Sequence, residues 1–321
     1  MTDYDVVVVG GGPGGCSAGV FTAREGLETA IFDCGRSSLK QCASLENYLG
    51  FPAGIDIESV YDLFHAHARE AGCTLVTDLV ESVERDGEGF QIHRQEGEAV
   101  TARRVLAATR YDGEYLRGLD DDDAMFERHE HDGETQEFFD REYAEMDGST
   151  PVDGLYVVSP HREADMQAIV AAGRGGRVAR QVIAASRIER GWWPEAAEGV
   201  DWMRRAADQG EKDREYWTEH FDTRYGPSAP VDPDTRRYQQ VREAAVEKRL
   251  SSYLTAEEIS ARQARGHRAL AERLSDEALL DAIDDERLLD SIDDERLLDA
   301  IDDDTVREYA DGLATSGGAS D

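Results

Sequence analysis

The stretch YDVVVVGGGPGG, residues 4–15, decides how the rest of the chain is read. Val6 to Val9 show no polar alternation, the pattern of a strand buried on both faces. The run stops at Gly10. Gly10, Gly12 and Gly15 fit G-x-G-x-x-G directly ahead of a helix-like run, Cys16 to Glu25. In such a motif one glycine makes the tight turn, one lets a pyrophosphate approach the backbone, and one lets the helix pack close to the strand. The helix N-terminus then offers unpaired N–H groups to the phosphates. A second apolar strand, Thr29 to Phe32, ends at Asp33, eighteen residues beyond Gly15, where a carboxylate would bond ribose hydroxyls. Strand, glycines and acid together predict a dinucleotide-binding βαβ start. A glycine-rich turn alone would carry no ligand.

The chain has 321 residues, 40% of them hydrophobic, enough for one large or two moderate domains with a real core. Acids number 69 against 35 Lys and Arg, a net charge of −34. Lysine occurs only at Lys40, Lys212 and Lys248, so nearly every cation is an arginine. The acid is spread along helical segments, as expected of a cytoplasmic protein from a salt-accumulating halophile. Molar salt shortens the Debye length to about 3 Å and screens the self-repulsion. An acidic surface that meets a basic partner is the other reading. No basic stripe exists to neutralise phosphates, which disfavours nucleic acid as a partner. No apolar run approaches the ~20 residues of a membrane span, and no leader-like stretch is visible, so a cytoplasmic location without a membrane partner is expected. Cys16, Cys34, Cys42 and Cys73 form no C-x-x-C and are read as reduced thiols.

Beyond Asp33, Cys34 to Ile55 reads as a loop from its Gly, Ser, Asn and Pro content. Glu58 to Ala71 reads as a helix with Val60, Leu63, Phe64 and Ala68 on one face. Thr74 to Val83 and Gly89 to His93 read as hairpin strands, and Val105 to Ala108 as a short buried strand. Tyr111 to Ser149, with four aspartates at 120–123, reads as a solvated acidic excursion with one short helix near Glu134 to Glu145. Val152 to Pro160 gives another apolar strand, and Met166 to Ser186 a small-residue-rich helix. From Arg187 onward the pattern is helical, with Trp192, Trp193, Trp202 and Trp217 as large apolar contacts and a capping box at Thr255 to Glu258. DEALLDAID, DERLLDSID and DERLLDAID begin at Asp276, Asp285 and Asp294. In one straight helix a period of nine would turn successive Leu-Leu pairs ~180° apart. Short helices capped by Ser275, Asp284, Asp293 and Asp302 are expected instead, either covering a core edge or forming a partner-binding array. The expected fold class is α/β. Residues 1–186 form a Rossmann-like domain with a central parallel sheet and a small antiparallel β-meander. Residues 187–321 form an acidic all-α domain.

Several stretches occur in a telling order: GGGPGG, the strand ending at Asp33, ENYLGFPAGI at Glu46 to Ile55, LAAT at Leu106 to Thr109, and DGLYVVSPHREADMQAIVAAGRGGRVA at Asp153 to Ala179. Together they resemble the FAD domain of thioredoxin-reductase-like pyridine nucleotide:disulfide oxidoreductases, over roughly the first 185 residues. The resemblance implies FAD on Gly10, Gly12, Pro13, Gly14 and Gly15, with Asp33 on the adenosine ribose. It also implies Cys34, Val80 and Thr109 among the cofactor contacts. Asn47 would lie near the isoalloxazine, and Gln167 with the following helix start near the flavin's pyrimidine edge. A helix N-terminus there would stabilise negative charge on a reduced flavin.

The departures are equally specific. Residues 111–149 stand where the family inserts a second glycine-fingerprint domain for NADPH, so NAD(P)H is expected to bind transiently at most. The C-x-x-C is absent, which argues against disulfide reduction by the family mechanism. The family's A-T-G reads Ala108, Thr109, Arg110, and its G-D, whose Asp holds the ribityl chain, reads Ser159, Pro160. Proline also removes an N–H.

Other residues offer weaker chemistry. Cys16 at a helix N-terminus is either a thiolate or a small buried residue, and Cys42 is the weak candidate for a catalytic thiol. His129, Glu130 and His131 lack the spaced partners of a closed metal site, so no metal is expected. His65 and His67 are two apart on a helix and cannot share a face. Two functions follow. One is a FAD-dependent oxidoreductase that is not a disulfide reductase, fed by a redox partner protein or a diffusing nicotinamide, with a homodimer as one candidate assembly. The other is a non-catalytic descendant that binds a nucleotide or another protein.

Overall fold

The computed structural model describes residues 2–110, 112–131, 134–161, 166–199 and 203–284, together with 287, 292, 293 and 307. The chain divides into two compact units, Met1–Gly266 and His267–Asp321. The expected boundary after residue 186 thus falls inside the first unit.

The first unit is built on one seven-stranded sheet. Its strands are β1 (Tyr4–Val9), β2 (Thr29–Phe32), β3 (Thr74–Val76), β4 (Val80–Asp86), β5 (Gly89–Arg94), β6 (Val100–Ala107) and a strand at Leu155–Val157, ordered β3-β2-β1-β6-β5-β4 with the last strand also on β6. β3, β2, β1, β6 and the Leu155–Val157 strand run parallel, and β4, β5 and the start of β6 form the antiparallel meander. The valine run behaves as its composition demands. Val6, Val7 and Val8 are fully buried, each worth about 1.5–3 kcal/mol of apolar burial. Val7 and Val9 enter one core layer with Phe32, Phe90 and Val105, while Val6 and Val8 enter the other with Ile31, Leu106 and Val182.

Helix α1 (Pro13–Arg24) connects β1 to β2, and α2 (Ile57–Ala71) precedes β3. α2 starts at Asp56, whose carboxylate accepts the Ser59 N–H at 2.8 Å, and stops at Gly72 in the left-handed region. The long helix Ala168–Glu189, expected from the small-residue run, packs on α1. The contact is backbone to backbone: a Cβ on Gly175 would lie 2.1 Å from the Gly14 carbonyl oxygen.

The acidic segment does not form the expected excursion with a helix at 134–145. It holds a single turn of helix, α3 (Asp122–Met125), followed by the antiparallel pair β7 (Phe126–His131) and β8 (Glu134–Phe139). Charge count hid the determinant, which is aromatic. Phe126 and Phe139 meet edge to face at 5.8 Å, Tyr143 packs on Phe139, and Met125 is fully buried among them. Part of the acid is consumed locally, since Arg117 bonds Glu114 and Glu137. β9 (Leu155–Val157) and α4 (Ala168–Glu189) complete the unit's α/β part.

Residues beyond 187 continue the same unit with α5 (Pro194–Ala197), α6 (Arg214–Tyr225), α7 (Arg236–Leu250) and the start of α8 (Ala256–Ala271), which runs past the unit's end at Gly266. Besides helices, this region holds a two-residue parallel pair, β10 (Arg205–Ala206) and β11 (Tyr253–Leu254). Trp193 stacks on Tyr238 at 5.4 Å and meets Phe221 at 5.7 Å, so it is a core side chain. Glu25, at the C-terminal cap of α1, is bonded by Arg187 of α4 and Lys248 of α7. The Thr255 capping box forms in both directions, at 2.9 and 3.2 Å. In the second unit, α9 (Asp276–Asp281) is capped by Ser275 as expected. Trp202, Asp302, the third repeat and most of the second lie outside the described residues. No helix among the described residues is long and apolar enough to cross a membrane.

Candidate functional site

The glycines of the first loop divide by what surrounds them. Gly10 has φ +113°, and a Cβ there would lie 2.6 Å from the Ala108 carbonyl oxygen. A Cβ on Gly15 would lie 1.9 Å from the Gly10 oxygen. Gly14 faces Val158 and the Ala171 carbonyl of α4. Backbone packing requires glycine at 10 and 15, and Gly14 sits close to its neighbours. Gly12 is different. Its φ of −76° suits any residue, and only Ser37 Oγ, at 3.5 Å, lies near its Cβ position. Nothing in the protein demands glycine there. The space that a side chain would fill opens at the N-terminus of α1, where no side chain caps the helix and Pro13 occupies the first turn. That combination of room and unpaired N–H groups fits a phosphate.

Asp33 follows β2 directly. Gly11 has no side chain to clash with it; a Cβ there would lie 2.6 Å from Asp33 Cβ. Asp33 Oδ1 accepts the Gly35 N–H at 3.0 Å, and Oδ2 lies 3.2 Å from His65 Nε2. The same nitrogen lies 3.1 Å from the Gly11 carbonyl oxygen. Carbonyl and ionised carboxylate only accept, so Nε2 carries the proton and is shared between them. Burial pushes the Asp33 carboxyl up, but the hydrogen bonds from His65 and Gly35 outweigh it and hold the group below the usual carboxylate range. An ionised acceptor suits ribose hydroxyls. Sequence reasoning set His65 aside by comparing it with His67. The available signal was the stripe Tyr61, His65, Ala68, in which His65 is the polar member; its ring meets Tyr61 edge-on at 4.9 Å.

The remaining expected residues are spread over several elements. Asn47 Nδ2 donates to Gln167 Oε1 at 2.7 Å, which brings together two residues 120 apart in sequence. Gln167 is the N-cap residue of α4, and its side chain makes no cap bond. The Thr109 hydroxyl is engaged with the Asp112 carbonyl and with Tyr115 at 3.1 Å. Val80 is buried in the core layer with Val7 and Phe32. Cys34 and Cys42 are exposed free thiols, Cys42 just after a 3-10 turn at Ser38–Gln41. Cys16 is not a thiolate. Its Sγ donates to the Gly11 carbonyl at 3.1 Å, and burial, followed by the Asp33 charge, pushes it up to about 12. Burial likewise raises Cys73 to about 12. His129 Nε2 lies 3.1 Å from Glu127, and no cluster of three metal-ligating side chains occurs among the described residues. Arg110 takes the left-handed conformation that glycine would supply in the family's A-T-G, with φ +63°.

The pyridine nucleotide-disulphide oxidoreductase family matches residues 4–128. The chain is 30% identical over 129 residues to a thioredoxin reductase of Streptomyces coelicolor, covering 39% of this chain and 40% of that protein. It is 34% identical over 119 residues to a bifunctional thioredoxin reductase/thioredoxin of Mycobacterium leprae, covering 36% of this chain and 26% of that protein. The matched region therefore spans well under half the length of each of these relatives. A solved thioredoxin reductase from Gloeobacter violaceus aligns with 63% of this chain and 98% of its own at 17% identity, with a TM-score of 0.47.

Proposed function

We propose that the chain is a FAD-dependent oxidoreductase of the thioredoxin-reductase-like kind, a reading supported by the match of residues 4–128 to the pyridine nucleotide-disulphide oxidoreductase family. The observation that carries the reading is the open space at Gly12. It lies at an uncapped helix N-terminus on the loop that Asp33 packs against. In this reading the α1 N–H groups hold the diphosphate and Asp33 accepts the ribose hydroxyls. Asn47 and Gln167 exchange their mutual hydrogen bond for contacts to the isoalloxazine. Bound FAD would supply hydride and electron transfer. Residues 111–149, whose described part holds the short helix α3 and the β7–β8 pair, stand in place of a nicotinamide domain, so electrons would arrive from a redox partner protein or from a nicotinamide that binds only in passing. The chain lacks a C-x-x-C, Cys16 and Cys73 are buried, and the reading excludes a disulfide reductase of the family's own mechanism.

A second reading, a non-catalytic nucleotide-binding or protein-interaction descendant, draws on Ser159 and Pro160, which leave the ribityl position without its carboxylate. The two separate cleanly. Protein purified in molar potassium chloride and titrated with FAD should take up one equivalent and show flavin absorption bands that bleach with NADH or NADPH. A colourless protein that takes up no FAD overturns the first reading. Stoichiometric FAD that no reductant bleaches favours the second.

A further inference from the structure

We propose that Arg110 is the residue that grips the nucleotide's diphosphate, so that the site recognises its ligand chiefly by the adenosine diphosphate end. The inference rests on the reading that the glycine loop holds a nucleotide. Among the described residues, Arg110 is the one non-glycine with positive φ, +63°, a region that L side chains adopt rarely. Ser159 Oγ accepts the Arg110 N–H at 3.0 Å and fixes that turn. The turn abuts the glycine loop, since a Cβ on Gly10 would lie 3.3 Å from the Thr109 nitrogen.

The guanidinium joins two segments. Nη1 donates to Ser38 Oγ at 2.6 Å, and Nη2 lies 2.9 Å from Met166 Sδ. Ser38 follows Ser37, the residue nearest the open space at Gly12, and Met166 directly precedes the N-cap of α4. Arg110 thus brings a positive charge between the N-termini of α1 and α4, beside the place that fits a phosphate. A guanidinium matches two phosphate oxygens at once. In a chain of net charge −34, a diphosphate needs a local cation to offset the surrounding field. Ser159, where the family has Gly, serves the Arg110 turn, and Pro160, where the family has its Asp, offers no carboxylate to a ribityl chain. Recognition has moved from the sugar alcohol to the phosphates.

Calorimetric titration of the full chain in molar potassium chloride with ADP, FAD and riboflavin tests this. ADP should bind within about tenfold of FAD, with riboflavin weaker by about a hundredfold or more. R110G should weaken ADP and FAD alike by about tenfold or more, with R110K between, because lysine cannot bond in bidentate fashion. Its melting temperature should stay unchanged or rise, because glycine relieves the positive φ, so lost binding cannot be put down to unfolding. ADP binding lost in R110G, with no FAD uptake by either protein, upholds Arg110 and overturns the FAD reading. FAD bound equally well or better by R110G overturns Arg110's role and leaves the FAD reading standing. Failure of wild-type protein to bind ADP or FAD overturns both.

Discussion

The two walls of the cleft obey different rules. On the β1–α1–β2 side Gly12 leaves open space at the uncapped start of α1, and Asp33 packs beside Gly11. On the wall made by Thr109–Arg110, Ser159–Pro160 and the Asn47–Gln167 pair, half of the family's residues are replaced. The difference has a packing cause. Gly10 and Gly15 press against backbone at Ala108 and at Gly10 itself, so the fold enforces them whether or not a ligand ever binds. At positions 110 and 159 the ties run through side chains: Ser159 Oγ accepts the Arg110 N–H, and the Arg110 guanidinium reaches Ser38 and Met166. A glycine fingerprint is therefore mostly evidence of architecture. Gly12 alone in it speaks of a ligand, because no neighbour requires it.

This contrast can be broken most forcefully at Gly15. G15A should destabilise the protein by about 3 kcal/mol or more in denaturant titrations, since its methyl meets the Gly10 carbonyl. G12A should stay within about 1 kcal/mol of wild type, the cost of alanine at an N-cap, while FAD or ADP binding is lost. Equal stability loss in both would erase the distinction between the two glycines.

A comparable effect is expected at the far end of α1. E25A leaves Arg187 and Lys248 without their shared carboxylate and should cost about 3 kcal/mol. Burial outweighs the attraction to Glu25 and already depresses Lys248, so the loss should ease at alkaline pH as the amine discharges. Unfolding curves at neutral and alkaline pH would check this.

D33N comes next, at about 1.5–3 kcal/mol of nucleotide affinity, the worth of a charged acceptor. It also carries a pH signature. The Asp33 carboxyl is held low in the folded protein, so its contribution to stability is fully present above the unfolded value of about 3.9 and fades as pH falls through the folded one. Wild type should be the more stable at neutral pH, and the two melting curves should converge at strongly acid pH. A gap that widens on acidification would contradict the His65 and Gly35 bonds as its cause.

The smallest change belongs to the other wall. N47A removes an exposed hydrogen bond and should shift stability by no more than about 0.5 kcal/mol. A larger loss would mean that this wall is also part of the scaffold.

The sequence was most readable where period and spacing report backbone demands directly. The Val6–Val9 run, the glycine loop, Asp33 and the small-residue helix all declare themselves that way. It was least readable between residues 111 and 149, where acids set the apparent character and Phe126, Phe139 and Tyr143 set the fold. His65 illustrates a second limit. Its partner is a carboxylate 32 residues earlier and a carbonyl 54 residues earlier, and no local pattern encodes such a meeting. Arg110 illustrates a third. The substitution for glycine was visible, but not that the arginine would keep glycine's conformation and reach Ser38, 72 residues away.

Helix α1 is held along its whole length: glycine backbone against α4 near its start, and the Glu25 ion triad at its end. It has little freedom to slide or tilt when something enters the cleft. Residues 34–55 have anchors of their own, with Leu39 and Leu45 buried beside Val60 and Tyr61 of α2, while Leu49 is 86% exposed. A phosphate at the start of α1 would therefore meet a helix pinned at both ends, not one that could follow it.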